Sequence, residues 1–264
     1  MSATSVGESF PQVVVMTPMK NTAQHLERYF TLFENLDYPK DRLRLAIIEG
    51  DSTDHTKEML PEFAKLMQFQ EVRIQILHHD FGIVIPEPRW DPSFQKLRRS
   101  LIAAARNRLM TACLGQSEWV LWLDGDLDFY PKTLLKDLLS ANKQIIVPSC
   151  ILPNGQIFDL NTFCFDLGSP IGESAKYLID GLYQPPRGVG RRYLDEYTKH
   201  NLIRVDAVGG TALLIDANLH REGLIFPTYS YRGYIETEGL AAMAQDMGVQ
   251  CWGLPQLKII HSYA

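Results

Sequence analysis

Between residues 12 and 150 the hydrophobic period of the chain switches repeatedly between that of a buried strand and that of an amphipathic helix. "QVVVMTP" reads as a strand, and residues 22–36 then carry Leu26, Tyr29, Phe30, Phe33 and Leu36 at helical spacing. "RLRLAIIEGD" is a second strand, followed by a helix in "STDHTKEMLPEFAKLM" for which Ser52 or Thr53 is the expected N-cap. "VRIQILHH", a loop with Pro86, Pro88 and Pro92, and a long helix over 93–115 come next. "EWVLWL", a helix in "PKTLLKDLLSA" with Pro131 near its first position, and "QIIVPSC" complete the series. Strands separated by helices cannot pair as hairpins, so they are expected to form a mainly parallel α/β sheet covered on both faces. Such sheets bind ligands beyond the carboxyl ends of their strands. Thr17–Pro18, Glu49–Asp51, His78–Asp80 and Asp124–Asp126 all stand at such ends. Four separate polar clusters are therefore expected along one edge.

The second half is less regular. Residues 166–200 are rich in Gly and Pro, and order returns in "IRVDAVGGTALLID", a helix near 236–247 and a last strand, "QLKIIHS". The expected organisation is a flexible stretch over 1–11 and a single domain over 12–264. Its nucleotide-binding half is 12–150, and its variable half is 151–264, with a mobile loop over about 166–200. A net charge of -5 argues against a nucleic-acid binder held by general phosphate attraction. The apolar run Val13–Met16 is too short for a signal segment or a membrane span, and none elsewhere is long enough. Four cysteines without a CxxC pair argue against zinc and for reduced thiols, hence for the cytoplasm.

The chemistry concentrates in "EWVLWLDGDLDFYP". Alternate residues of an extended segment point the same way, so Asp124 and Asp126 are expected to project together, and paired carboxylates call for a cation. A solvated polar turn is the plainer alternative. An EF-hand loop fails, because its sixth and twelfth positions hold Phe129 and Leu135. A phosphatase-type nucleophile motif fits poorly, since Leu127 follows Asp126 and the motif sits on the fourth strand. The metal-binding acids of a nucleotide-sugar transferase agree with that position. "IEGDSTD" places Glu49 and Asp51 where carboxylates accept hydrogen bonds from ribose hydroxyls or a base, or alternatively cap the next helix. In "AARNRL", Arg106 and Asn107 are candidates for phosphate or ribose; the neighbouring Lys96, Arg98, Arg99 and Arg108 read as a solvated face. "ETEG" offers Glu236 and Glu238 either to the helix dipole or to a sugar. His261, at the end of the last strand, is placed to complete a metal shell.

Taken together, "VVVMTPMKN", "AIIEGDSTD", "AARNRL", "VLWLDGDLDFYP", "VDAVGGTALLIDANLHREGLIFP", "YIETEGLAAMAQDMGV" and "GLPQLKIIHS" resemble the Anp1/Mnn9/Van1 family of fungal Golgi mannosyltransferases over residues 12–262. The resemblance implies a GT-A fold, GDP-mannose as donor, Mn²⁺ (or Mg²⁺) as cofactor, and retaining transfer to a glycan or other hydroxyl acceptor. By position, Asp124, Asp126 and His261 match the metal site, with Asp126 central to catalysis. Glu49 and Asp51 match the nucleoside turn, and Thr17 and Pro18 the start of the nucleotide pocket. Gly209, Gly210 and Thr211 match a glycine turn beside the donor sugar, and Glu236 and Glu238 match acids near sugar and acceptor. The family also implies a paired subunit, or a homo-oligomer. Its fungal members carry a membrane anchor, so a chain without one is expected in the cytoplasm, or in the Golgi lumen if the anchor has been removed. A non-catalytic scaffold subunit and a transferase using a UDP-hexose are the rival readings. Arg187, Arg191 and Arg192 are expected in a loop that orders over donor and acceptor.

Overall fold

The computed structural model describes residues 10–67, 73–89, 91–166 and 175–263. The first half alternates as the periodicity requires: β1 (Val13–Met19), α1 (Leu26–Glu34), β2 (Leu43–Glu49), α2 (Thr56–Leu66), β3 (Arg73–His78), α3 (Gln95–Cys113), β4 (Trp119–Leu123). A short strand, β5 (Leu127–Phe129), then precedes α4 (Leu134–Ser140) and β6 (Ile145–Ile151). The second half holds β7 (Phe163–Phe165), β8 (Leu178–Ile179), β9 (Leu182–Tyr183), β10 (Arg191–Tyr193), β11 (Ile203–Val205) and β12 (Ala212–Asp216). It closes with α5 (Ala217–Arg221), α6 (Glu236–Asp246) and β13 (Cys251–His261).

The main sheet runs in the order β11, β13, β6, β12, β4, β1, β2, β3, with β5 paired to β13. β1, β2, β3 and β4 are mutually parallel, and β6 pairs parallel with β13. β12 enters antiparallel between β4 and β6, while β11 and β5 lie antiparallel on β13. The central β4 is apolar at every position, and β1 up to Met16, because both faces are covered. Val14, Met16, Val120 and Trp122 pack on the face under α3, α5 and α6; Val13, Val15, Leu121 and Leu123 pack on the face under α1, α2 and α4.

Several local expectations change. α2 starts after His55, and its start is tied by Asp54, whose Oδ1 accepts from Thr56 N at 3.0 Å and Thr56 Oγ1 at 2.5 Å. Ser52 and Thr53 instead reach back to Asn21: Ser52 Oγ accepts from Asn21 N at 3.1 Å, and Thr53 N donates to Asn21 Oδ1 at 2.7 Å. Pro131 lies in the turn before α4, whose cap is Thr133. Two short strands do flank Gly209–Gly210, and each pairs elsewhere in the sheet, β11 with β13 and β12 with β4 and β6. Within 175–200 the chain forms the β8–β9 hairpin and β10, which pairs with β7; residues 167–174 and 1–9 lie outside the described residues. No helix among the described residues is long and apolar enough to cross a membrane.

Candidate active site

Because β4, β1, β2 and β3 are parallel neighbours, their carboxyl ends fall side by side, and Met19, Glu49 and His78 stand in one register row. Asp124 follows β4 directly, its N–H donating to Thr211 O at 3.0 Å and so continuing the β12–β4 ladder. Gly125 and Asp126 then form a turn rather than an extended segment. The turn brings both carboxylates toward the end of β13. One ligand atom from each of Asp124, Asp126 and His261 lies within 4.8 Å of the others. Asp128 does not join them and pairs with Arg28 on α1.

His261 is held from three sides. Its Nδ1 donates to Ser262 O at 2.8 Å, its Nε2 faces Asp126 Oδ1 at 3.0 Å, and Phe158 stacks on its ring with centroids 3.7 Å apart. Burial lowers the imidazole's proton affinity, but the bond and charge of Asp126, the Ser262 carbonyl and the Asp124 charge together outweigh it, so His261 titrates above the usual histidine range. Burial likewise raises Asp126, and His261 more than offsets it, leaving that carboxyl below its ordinary value. Asp124 moves the other way. Desolvation pushes it up to about 7 against the pull of Arg106, with Asp126 adding to the rise. Two neighbouring acids with opposite shifts mark a site where charge is concentrated and unmet.

Behind the trio lies a buried chain of ion pairs. Arg106 reaches Asp124 at 3.4 Å and Glu236 at 3.1 Å, its guanidinium lying between the Trp122 and Phe226 rings. Arg99 reaches Glu236 at 3.8 Å and Glu238 at 3.0 Å, and Arg191 reaches Glu238 at 3.1 Å while covering the Phe163 ring. Glu238 is 2% exposed, with one oxygen on each of two arginines. The sequence reading put Glu236 and Glu238 at the sugar; the structure engages both within this network. Glu236 holds φ 58°, a left-handed conformation costly for a residue with a side chain. Arg99 was read as solvated, and Arg191 as part of a mobile loop. Neither residue type nor spacing reveals their partners, which lie on α6.

Other expected residues are placed differently. Asn107 is one residue from Arg106, about 100° around the helix. Its amide clamps the Phe226 backbone in both directions, at 2.7 and 3.0 Å. Thr17 is fully buried, with its hydroxyl 2.6 Å from that of Tyr29, while Pro18 beside it is half-buried. The Asp51 carboxylate accepts from Phe81 N at 2.9 Å and Gly82 N at 2.8 Å, fastening the loop after β3. Glu49 is buried, its Oε2 bonded to His78 Nδ1 at 2.9 Å and its Oε1 unpaired.

The glycine pair is explained by close approach. A Cβ on Gly209 would stand 2.0 Å from Asp159 Oδ2, and one on Gly210 2.3 Å from Arg106 Nη2. Thr211, the third residue of the turn, is buried and presents its carbonyl to Asp124. Asp159 was not singled out by sequence, yet it fixes the turn through Thr162, whose hydroxyl donates to Asp159 at 2.7 Å and accepts from Gly209 N at 2.8 Å. Gly210→Ala is expected to push Arg106 off Asp124 and to cost about 1–3 kcal/mol, as overpacking does. Chemical denaturation measures the loss, and an unchanged midpoint would show that Arg106 has room to move.

The fold recurs in solved structures. A mannosyltransferase of Pyrobaculum calidifontis, solved with GDP-Man and Mn²⁺, superposes with a TM-score of 0.57 at 16% identity, over 96% of this chain and 57% of that one. GalNAc-T7, solved with UDP, GalNAc and Mn²⁺, gives 0.59 at 13% identity, over 97% and 44%. The fold is that of a GT-A glycosyltransferase. A family model described as Anp1 matches residues 2–179. The chain belongs to the Anp1 family. The mannan polymerase II complex anp1 subunit of Schizosaccharomyces pombe is 31% identical to it over 291 aligned residues, covering all of this chain and 67% of that relative.

Proposed function

We propose that the protein is a metal-dependent retaining glycosyltransferase that moves mannose from GDP-mannose to a glycan or other hydroxyl acceptor, forming an α-mannosidic bond. The observation that carries this reading is the convergence of Asp124, Asp126 and His261 at the carboxyl edge of a GT-A sheet. The naming of the S. pombe relative as a mannan polymerase subunit, and of a structural neighbour as a mannosyltransferase solved with GDP-Man and Mn²⁺, supports the donor and the ion.

The residues fit a divalent ion. Two carboxylates and one imidazole nitrogen suit Mn²⁺, whereas Mg²⁺ favours an all-oxygen set. Ser262 O fixes the proton on Nδ1 and leaves Nε2 facing the acids, the outer-sphere arrangement that metal-binding histidines use. Bound there, the ion would neutralise charge on the departing diphosphate. Arg106 holds Asp124 in place, and Phe158 holds the imidazole. Neither Glu236 nor Glu238 is free to attack an anomeric carbon. A same-face reaction needs no such group: the bond from carbon to phosphate oxygen breaks, the acceptor oxygen bonds on the same face, and its proton passes to the departing phosphate.

A thermal-shift panel of GDP, UDP, GDP-mannose and a UDP-hexose, with and without Mn²⁺, tests the reading. GDP with Mn²⁺ is expected to raise the melting temperature, with about 2.7 kcal/mol gained at a hundred times the dissociation constant. GDP-mannose hydrolysis should then occur with Mn²⁺ and stop with EDTA. A shift with UDP alone would replace the donor. Binding without turnover would favour a non-catalytic subunit, a reading supported by the naming of relatives as complex subunits.

A further inference from the structure

α3 lies between β3 and the parallel β4, so it runs against both, and its first two turns stand over the carboxyl edge of the sheet. Of the arginines there, Arg106 is committed to Asp124 and Glu236, and Arg99 to Glu238 and the Ile235 carbonyl. Arg98 has no hydrogen bond or ion pair among the described residues, yet it is half-buried. Helical phase sets its direction. Ser100 and Asn107, seven residues apart, reach the Thr228 and Phe226 carbonyls on one flank of α3. Residues 98, 105 and 112 stack on the opposite flank, about 160° away round the helix. Arg98 therefore leaves α3 on the flank turned away from Thr228 and Phe226, about two turns before Arg106, whose guanidinium meets Asp124.

The charges acting on it agree with that placement: Arg89 from the loop after β3, Glu236, Arg99 and Asp124. Desolvation, then Arg89, lower its proton affinity. A half-buried guanidinium repelled by a second arginine, and paired with no acid among the described residues, is a charge awaiting a counter-ion. Along the carboxyl edge of the sheet, Glu49, Asp51 and Asp80 stand at the ends of β2 and β3, and Asp124, Asp126 and His261 at the ends of β4 and β13. The edge between them is otherwise hostile to a diphosphate. Guanidinium groups match phosphate oxygens in geometry and keep their charge.

We propose that Arg98, with Arg89 beside it, forms an anion-binding element that receives the diphosphate of a nucleotide lying between the β2 turn and the Asp124–Asp126–His261 trio. This rests on the nucleotide-sugar reading above and adds a residue that sequence reasoning assigned to a solvated face. Arg98 binds the diphosphate directly and takes no part in holding the fold.

Calorimetric titration of GDP into the Mn²⁺-loaded protein tests it, with Arg98→Gln and Arg98→Lys compared against wild type. Arg98→Gln is expected to weaken GDP by about 10- to 100-fold, the loss typical of a charge-assisted bond, and Arg98→Lys by less. Mn²⁺ affinity measured by EPR without nucleotide should stay within about twofold, because Arg98 touches no acid of the trio. The melting temperature without ligand should not fall, whereas a structural arginine would lower it. If wild type binds neither GDP nor UDP, the nucleotide reading fails and takes this proposal with it. If wild type binds GDP and Arg98→Gln binds it as tightly, only the Arg98 assignment is overturned. A melting temperature several degrees lower in Arg98→Gln without ligand would also overturn it, by revealing a protein partner.

Discussion

Asp126→Ala is expected to remove Mn²⁺-dependent nucleotide binding and sugar transfer together, while the protein stays folded. The carboxylate supplies one of three ligand atoms, and it is the partner of His261 Nε2 at 3.0 Å. Groups one bond further from a metal already cost 10- to 100-fold in affinity when lost, so removing a ligand should exceed about 100-fold. The fold should tolerate the change. The Asp126 side chain is 34% exposed, and His261 keeps its bond to Ser262 O and its stack on Phe158. EPR titration of Mn²⁺ and a donor-hydrolysis assay read both effects. Near-normal turnover in a correctly folded variant would dismiss the metal-assisted reading outright.

Glu238→Ala is expected to have the largest effect on stability. Removing that side chain strands Arg99 and Arg191, at 12% and 10% side-chain exposure, without the acid between them. Breaking a buried pair in this way costs about 3–5 kcal/mol. In a chain of this size each kcal/mol lowers the melting temperature by about 2–4 °C, so a fall of roughly 10 °C or more is expected by calorimetry. The loss arises from position rather than chemistry: Glu238 ties α3, β10 and α6 at one point. A variant that melts with wild type but transfers no sugar would return Glu238 to the sugar, where sequence reasoning first put it.

The two predictions separate two kinds of acid on one edge. Asp124 and Asp126 face outward and lack cations of their own beyond Arg106 and a histidine. Glu236 and Glu238 are each met by two arginines. Identical carboxyl chemistry thus divides by neighbours alone, and a motif that names both pairs does not say which pair meets two arginines at each acid.

What the sequence determined by itself is local and periodic. Runs such as Val13–Met16 and Val120–Leu123 must be buried on both faces, the helices between them force parallel pairing, and parallel pairing aligns Thr17, Glu49, His78 and Asp124 at one edge. The trio was legible for the same reason, since a strand end fixes where its next residues go. What only the tertiary structure decided is the partner of each charge. Arg98 and Arg99 are neighbours of one residue type; a 100° turn of helix gives Glu238, 139 residues away, to Arg99 and no partner among the described residues to Arg98. The same turn hands Asn107 to the Phe226 backbone, and the pleat of β1 hides Thr17 against Tyr29. Electrostatic and hydrogen-bond pairing acts over a few ångströms between groups far apart in the chain, so the packing of α3 against α6 settles it, and no window of residues contains that packing.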